Sequence, residues 1–462
     1  MERRDFFSLM AAGSAGLGAS LLDPRAAAAN WGMIAPGPVP GPGFDGRSLV
    51  NVPRAREVME REGVDGIVAL NPVNVFYLGN YFSYELQKLR AISSFAVMPR
   101  DPAAPTVLVV SGSDLLFLAN GEREYPEIVP YSFPADLDAY IAKGDFTQEP
   151  AAAPMRLARS DDPPRPREPA WIDYGAKVGT RAAATPEWAL VKALKMAGLS
   201  KGRVAVDDWR IAGILSALGQ TGVTCVPGDN TFRKIRSVKS EVEIGHMRAI
   251  ARINQDACLA MLAQVKAGTT KDEIDQLFMV EAAKRGAKAM WIATGTTGGL
   301  AHGKVVEGEP MMVDAVCQRN YYHGDFGRTV VLGEPSKELK ARMVALKAGW
   351  DTAREKVRPG MKYSEVRKVV GEAIQKAYTG GSDVRFGVGP HTVGLQHTDQ
   401  PYRDGLPFVV SDDLTLEPGM TLTIDLPTVQ LGFGSIHCED LIVVTKDGIE
   451  PLATADGPLI VL

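Results

Sequence analysis

Between Ser240 and Val265 the apolar residues Ile244, Met247, Ile250, Ile253, Cys258, Met261 and Leu262 recur with helical spacing. That period predicts an amphipathic helix. A second helix is predicted from Thr270, a good N-cap followed by Asp272 and Glu273 in the first turn. Two more are predicted at about 337–356 and 363–378. Upstream, helical stretches at 53–62, 185–198 and 210–219 alternate with short apolar runs at 66–70, 92–98, 106–111, 204–207 and 222–226, which read as strands. This alternation predicts an α/β unit. Between them, 71–84 carries aromatics and turn residues. Beyond 290 the pattern changes to short apolar strands separated by Gly-rich turns. The boundary between the two regimes falls near Asn230.

Composition narrows the class. The chain has 462 residues, 45% hydrophobic and 23% charged, as ordinary globular proteins do. A net charge of −4 argues against a nucleic-acid partner. The four cysteines, at 225, 258, 317 and 438, make neither a disulfide framework nor a zinc spacing. Residues 149–170 are dense in Pro, Ala and charge and read as a long surface loop. At the N-terminus Arg3 and Arg4 precede Phe6, an Ala/Gly-rich apolar run from Leu9 to Leu22, and the small residues Ala26–Ala29. That order is the pattern of a cleaved signal peptide, too short to span a membrane, and the Arg pair resembles a twin-arginine signal. The expected plan is therefore a signal at 1–29, a Pro/Gly-rich lead-in at 30–50, a first domain at 51–229 and a second at 230–462. A periplasmic or exported protein without a stable membrane span is expected.

The chemistry-bearing residues concentrate in the second domain. Of six histidines, His302, His323, His391, His397 and His437 fall within 302–437, interleaved with acids. Asp314 closes the apolar run from Pro310, and Asp325 follows eleven residues later, so that a hairpin would set the two carboxylates side by side. Bare aspartates that close repel unless a cation lies between them. Asp425 ends the run Leu422–Asp425, and Glu439 and Asp440 interrupt the apolar stretch after Ser435. Acids inside apolar strands are rare without partners, and this set with His391 points to a metal or acid/base site. Cys317 and Cys438 read as small buried hydrophobes, His246 as a packing residue and His323 as a residue on the rim of the site. Tyr77, Tyr81, Phe82 and Tyr84 form an aromatic cluster that reads either as core or as the lining of a substrate mouth.

The ordered set Asp314, Asp325 in Asp-Phe-Gly-Arg-Thr, His391 in Pro-His-Thr-Val-Gly-Leu, Asp425 and Glu439 resembles the creatinase, aminopeptidase P and prolidase superfamily. Arg236-Ser-Val-Lys-Ser-Glu-Val-Glu is similar to that family's interdomain helix start, and Asn71–Asn80 resembles a strand-and-turn motif of its first domain. The resemblance runs over about 50–462. It implies an α+β chain: a pita-bread catalytic domain, meaning a curved antiparallel sheet with flanking helices, preceded by a smaller α/β domain. It also implies two divalent ions (Mn, Co, Zn or Fe), with Asp314 chelating one, Asp325 and Glu439 bridging, and His391 and Asp425 completing the second. His302 and His397 would handle substrate and protons, and His437 and Tyr81 would contact substrate. Homodimers are expected.

Four positions depart from the family pattern. Asp425 stands where Glu is usual, His437 where Arg is usual, and Pro390 precedes the ligand histidine in place of a small residue. The intervals His391–His397 and His302–Asp314 are both shortened. The function implied is a dinuclear-metal hydrolase that cleaves short peptides, Xaa-Pro among them. Two alternatives are a non-peptidase on the same scaffold, such as a metal-dependent lyase of a small zwitterion, and a non-catalytic binding protein.

Overall fold

The computed structural model describes residues 46–82, 93–119, 123–154, 163–166, 168–295, 303–381, 383–406, 409–453 and 457–462. The expected signal segment, most of the lead-in, Tyr84 and His302 lie outside the described residues. Residues Gly43–Leu462 gather into one unit, which carries two large sheets. No helix among the described residues is long and apolar enough to cross a membrane.

The first sheet has the order β4-β3-β2-β1-β5-β6. Its strands are β1 (Gly66–Ala69), β2 (Phe95–Pro99), β3 (Val107–Ser111), β4 (Glu127–Tyr131), β5 (Gly202–Val206) and β6 (Val223–Pro227). β1 pairs antiparallel with β2 and parallel with β5, so the sheet is mixed. Its central strands β1, β2 and β3 read as continuous apolar runs because both faces are covered, whereas the edge strand β6 stays partly exposed. Helix α1 is Val52–Arg61, α2 is Pro72–Gly79 and α3 is Pro186–Met196. Val68, Val97 and Val109 share a core with Trp188 and Leu190 of α3. Ile67, Ala69, Ala96 and Met98 face a second core that continues into the C-terminal half.

Two expectations for this region need correction. The segment Asn71–Asn80 is a helix, α2, and not a strand and turn. Asn71 accepts a hydrogen bond from the Val73 amide and Pro72 sits in the first turn, an N-terminal capping pattern that outweighs the β-branched and aromatic content. The strand expected at 92–98 runs instead from Phe95 to Pro99.

Helix α4 (Asp229–Arg236), which the apolar spacing did not announce, lies between the two sheets in sequence and buries Phe232, Arg233, Ile235 and Arg236. Helix α5 (Glu241–Leu262) follows. Its Ser240–Glu243 capping box fixes the start, as the Thr270–Glu273 box does for α6 (Lys271–Lys284). The second sheet has nine strands among the described residues, with the main path β11-β12-β15-β10-β8-β7. In chain order these are β7 (Lys288–Ala293), β8 (Met311–Arg319), β9 (Tyr322–His323), β10 (Phe326–Val331), β11 (Gly389–Thr392) and β12 (Thr421–Asp425). Next come the hairpin β13 (Thr428–Gln430) and β14 (Gly434–Ile436), which pair only with each other, then β15 (Glu439–Val444), β16 (Ile449–Pro451) and β17 (Leu459–Val461). Helices α5 and α6 pack with β8 and β10 through Met247, Ile250, Phe278, Val313 and Phe326. Helices α7 (Lys337–Lys356) and α8 (Tyr363–Ala377) cover β12 and β15 through Leu346, Val370, Leu422 and Ile442. The curled antiparallel sheet with flanking helices is the α+β pita-bread architecture.

Candidate metal centre

Strand register assembles the site. Asp314 of β8 is paired with Gly327 of β10, and Gly327 with Glu439 of β15. Directly opposed residues in antiparallel strands point to the same face. Asp314 and Glu439 therefore flank a residue that has no side chain. In the neighbouring ladders Thr423 pairs with Leu441, which carries Asp425 towards Glu439, and Gly389 pairs with Asp425. The result is one row across five strands: Asp314, Gly327, Glu439, Asp425, Gly389. Asp325 stands two residues before Gly327 and His391 two residues after Gly389, so the period of two aims both at the same face. Asp314 is thus inside its strand, not at its end as its sequence context suggested.

The donors converge. Three sets of ligand atoms lie within 4.8 Å of one another: Asp314, Asp325 and Glu439; His391, Asp425 and Glu439; and Asp325, His391 and His397. His391 Nε2 is 3.8 Å from Asp325 Oδ2 and 3.7 Å from Glu439 Oε1. Asp314 Oδ1, both oxygens of Asp325 and Glu439 Oε1 are buried with no hydrogen-bond partner. Burying acceptors without donors is costly. Carboxylates with one or two imidazoles are donors suited to a divalent first-row cation, which would satisfy these oxygens. The residues present therefore fit the metals implied by the resemblance.

The charges strain against one another without such a counter-ion. Burial, and next the charge of Asp325, push the Asp314 carboxyl up to about 6. Burial drives Glu439 well above the carboxylate range, with Asp325, Asp425 and Asp314 adding to the effect. Burial pulls His391 down towards the neutral, metal-binding form against the attraction of Asp325. For His397 burial also disfavours the charged ring, but the carboxylates of Asp325, Asp314 and Asp425 outweigh it and raise the imidazole. His397 Nε2 lies 3.0 Å from Asp325 Oδ2, close enough for charge attraction but outside hydrogen-bond geometry.

His437 and Tyr81, expected at the substrate, are elsewhere. His437 is 1% exposed. Its Nδ1 faces the Val313 carbonyl at 3.3 Å, and its Nε2 is 2.5 Å from Asp425 Oδ1 and 3.4 Å from Glu439 Oε2. Its ring lies on the ligand face over Gly327, in the space the missing side chain leaves: a Cβ there would meet His437 Cε1 at 2.4 Å. Where the family pattern has a fixed bidentate cation, this chain has an imidazole that Asp425 holds towards its charged form against burial. Tyr81 is buried and donates to Asp114 at 3.2 Å. Tyr77 is wholly buried, and Phe82 stacks on Tyr321. Among its described members the aromatic cluster is core. His323 is also buried, with Nδ1 at the Gly394 carbonyl and Nε2 at Gln318, so it does not sit on the rim. Cys317 and Cys438 are buried, and His246 stacks on Tyr322.

Two features escaped the sequence. Trp291 on the edge strand β7 stands edge-on to His397, with ring centroids 4.7 Å apart, and is 39% exposed. Its strand carries no chemical motif, so nothing marked it. Arg328 donates to both oxygens of Asp440 and to the Glu439 carbonyl, which locks β10 to β15 beside the row. The Arg in Asp-Phe-Gly-Arg-Thr and the Asp beside Glu439 were visible signals for that pair.

The comparisons agree with this geometry. Residues 245–446 match the model of metallopeptidase family M24. This match, and the relatives and structures below, support the creatinase, aminopeptidase P and prolidase superfamily for this chain. An M24 chain is a metal-dependent hydrolase by class. The Xaa-Pro dipeptidase of Pyrococcus horikoshii is 26% identical over 241 residues, covering 50% of this chain and 67% of that one. The Xaa-Pro dipeptidase of Pyrococcus furiosus is 24% identical over the same length, with the same coverage. Among solved structures, the Xaa-Pro dipeptidase from Bacillus anthracis has a TM-score of 0.62 at 18% identity, covering 89% of this chain and 99% of that one. The X-Pro aminopeptidase from Thermotoga maritima has a TM-score of 0.60 at 21% identity, covering 87% and 99%. These structures are similar to this chain in fold.

Proposed function

We propose that this M24 protein is a dinuclear-metal peptidase that cleaves short peptides, Xaa-Pro dipeptides among them. The observation that carries the reading is the row of buried carboxylates whose oxygens lack donors, with His391 and His397 beside it. Asp314 would chelate one ion, Asp325 and Glu439 would bridge, and His391 and Asp425 would complete the second. Divalent ions held there would lower the pKa of a water and polarise the scissile carbonyl. His397, its imidazole raised by the neighbouring carboxylates, would carry a proton to the leaving amine. His437 would hold Asp425 Oδ1, so that the other oxygen turns to the metal. Trp291 would offer an apolar wall next to His397 for the prolyl ring. His302 keeps its proposed role as a second proton-handling histidine. Manganese is the metal proposed first, a homodimer the working form, and twin-arginine export the route.

The test is metal analysis of purified protein together with a screen of Xaa-Pro dipeptides and longer peptides. Two bound metals with Xaa-Pro cleavage support the reading. Two metals without peptide cleavage would move it to a non-peptidase enzyme, which the Asp425–His437 pairing would then explain. A protein that takes up no divalent metal would be a binding protein.

A further inference from the structure

His397 rides on the segment 393–400, which backbone and side-chain bonds tie to Thr421, His323 and Ser411 and which a cluster of buried charged groups on and just after α4 also grips. Arg236, at the end of α4, donates Nη2 to Asp399 Oδ1 at 2.5 Å and to Gln396 Oε1 at 2.8 Å. Asp399 is 0% exposed and Arg236 1%. Arg233, one turn earlier, reaches the carbonyls of Thr398 and Gln400 at 3.3 and 3.4 Å. Lys239 Nζ stands 4.0 Å from Asp399 Oδ2 and donates to the Arg236 carbonyl. The segment passes so close to this cluster that a Cβ on Gly394 would meet Lys239 Nζ at 2.9 Å and Asp399 Oδ2 at 3.0 Å.

The same guanidinium is aimed from the other side. Its Nη1 donates to Asn74 Oδ1 on α2. Asn74 in turn donates to Asp207 Oδ2 at 2.8 Å, and Asp207 also accepts from the amides of Leu70 and Asn71 at 2.7 and 3.1 Å. An unbroken polar chain therefore runs from the ends of β1 and β5 through Asn74 and Arg236 to Asp399 and Gln396, on either side of His397. An ion pair this deeply buried carries a large desolvation penalty and is weak evidence for stability. A demand for a fixed geometry explains it better, because a proton-transfer group misplaced by about 1 Å can lose about 10²-fold in rate.

We infer that Arg236 and Asp399 are positioning residues that set the His397 imidazole against the ligand row, and that the first sheet is the scaffold for that setting. The inference rests on the reading of His397 as a proton-transfer group. It gives the Arg236-Ser-Val-Lys239 motif a role: the motif ties the catalytic segment to the N-terminal half. Beside Lys239 the charge of Glu243 adds to that of Asp399, and Tyr322 donates to Glu243 at 3.2 Å.

The experiment is a double-mutant cycle on the metal-loaded enzyme with an Xaa-Pro dipeptide: wild type, Asp399→Asn, His397→Ala and the double variant. Metal content is recorded for each, and the imidazole NMR spectrum is taken on protein loaded with diamagnetic Zn²⁺, because paramagnetic Mn²⁺ would broaden a ring this near the donors. The chain has six histidines, so the His397 resonance is assigned by its loss in His397→Ala. Asp399→Asn is expected to lower kcat by about 10–100-fold, leave metal stoichiometry unchanged and shift the His397 resonance. In the His397→Ala background it should cost less than about two-fold, since the two residues act as one unit. Losses that multiply in the double variant, with an unmoved resonance, would overturn the inference. Should His397→Ala itself turn over at the wild-type rate, the proton-transfer reading fails instead, and the resonance shift alone then decides the positioning claim. If Asp399→Asn does not fold, Gln396→Ala takes its place in the same cycle, because it leaves the ion pair intact.

Discussion

Asp325 faces Asp314, Glu439, His391 and His397 together, and neither of its buried oxygens has a hydrogen-bond donor. Removing it should take away the bridging position while relieving the repulsion it imposes on Asp314 and Glu439. Asp325→Ala is therefore expected to lose metal and activity yet to fold, with the metal-free variant at least as heat-stable as the metal-free parent. Plasma mass spectrometry and a melting curve in chelator check both halves; unchanged metal stoichiometry would remove Asp325 from the site. This residue was readable from the chain alone, because an acid in Asp-Phe-Gly-Arg-Thr between apolar strands has few other reasons to be there. His437 was readable as unusual but not in its position. Its burial depends on the space above Gly327, more than a hundred residues away in sequence.

Strand β10 shows what an element contributes. Gly327 separates Asp314 from Glu439, and the His437 ring occupies the room its missing side chain leaves. Gly327→Ala should push that ring off Asp425, destabilise the protein by about 1–3 kcal/mol through overpacking, and weaken metal binding. Isothermal titration with Mn²⁺ reads the second effect; full metal affinity in the folded variant would show that His437 does not set Asp425. At the other sheet, Asp207 ties β5 to the start of α2, and burial pushes its carboxyl up to about 7 despite three donors. A carboxyl raised on folding contributes stability below its unfolded pKa of about 4, and that contribution is lost as pH rises through about 7. Over the full range this amounts to about 4 kcal/mol at most. Asp207→Asn should therefore look worst against the parent near and below pH 4 and close much of the gap near pH 7.5, measured by urea denaturation. A gap that does not change with pH would mean Asp207 stays ionised throughout. The apolar runs of both elements are plain in the sequence, whereas the helical state of 72–79 is masked there by aromatic content that competes with the Asn71-Pro72 start.

Across the whole molecule, α4 follows the last strand of the first sheet, and its buried Arg236 donates both to Asn74 on α2 and to Asp399 beyond β11. Export is the proposal that concerns the chain as a unit. Residues 1–29 should be missing from mature protein recovered from the periplasm, and the double change Arg3→Lys, Arg4→Lys should hold the protein in the cytoplasm. N-terminal sequencing and cell fractionation test this; periplasmic protein with an intact N-terminus would exclude a cleaved signal.

What the chain declares by itself is local chemistry: the capped starts of α5 and α6, the apolar strands, and the order of Asp314, Asp325, His391, Asp425 and Glu439 with the family likeness they carry. Caps and periodicity act over a few residues, so a linear reading reaches them. What only the tertiary structure decided is adjacency. The row from Asp314 to Gly389 exists because four ladders keep one register, and register is set by pairing between strands up to about a hundred residues apart. The burial of His437 and Tyr81, the edge of Trp291 against His397, and the grip of Arg236 on Asp399 all depend on which elements pack together. No spacing along the chain encodes those contacts singly, because each forms only once the sheets and α4 have closed around it.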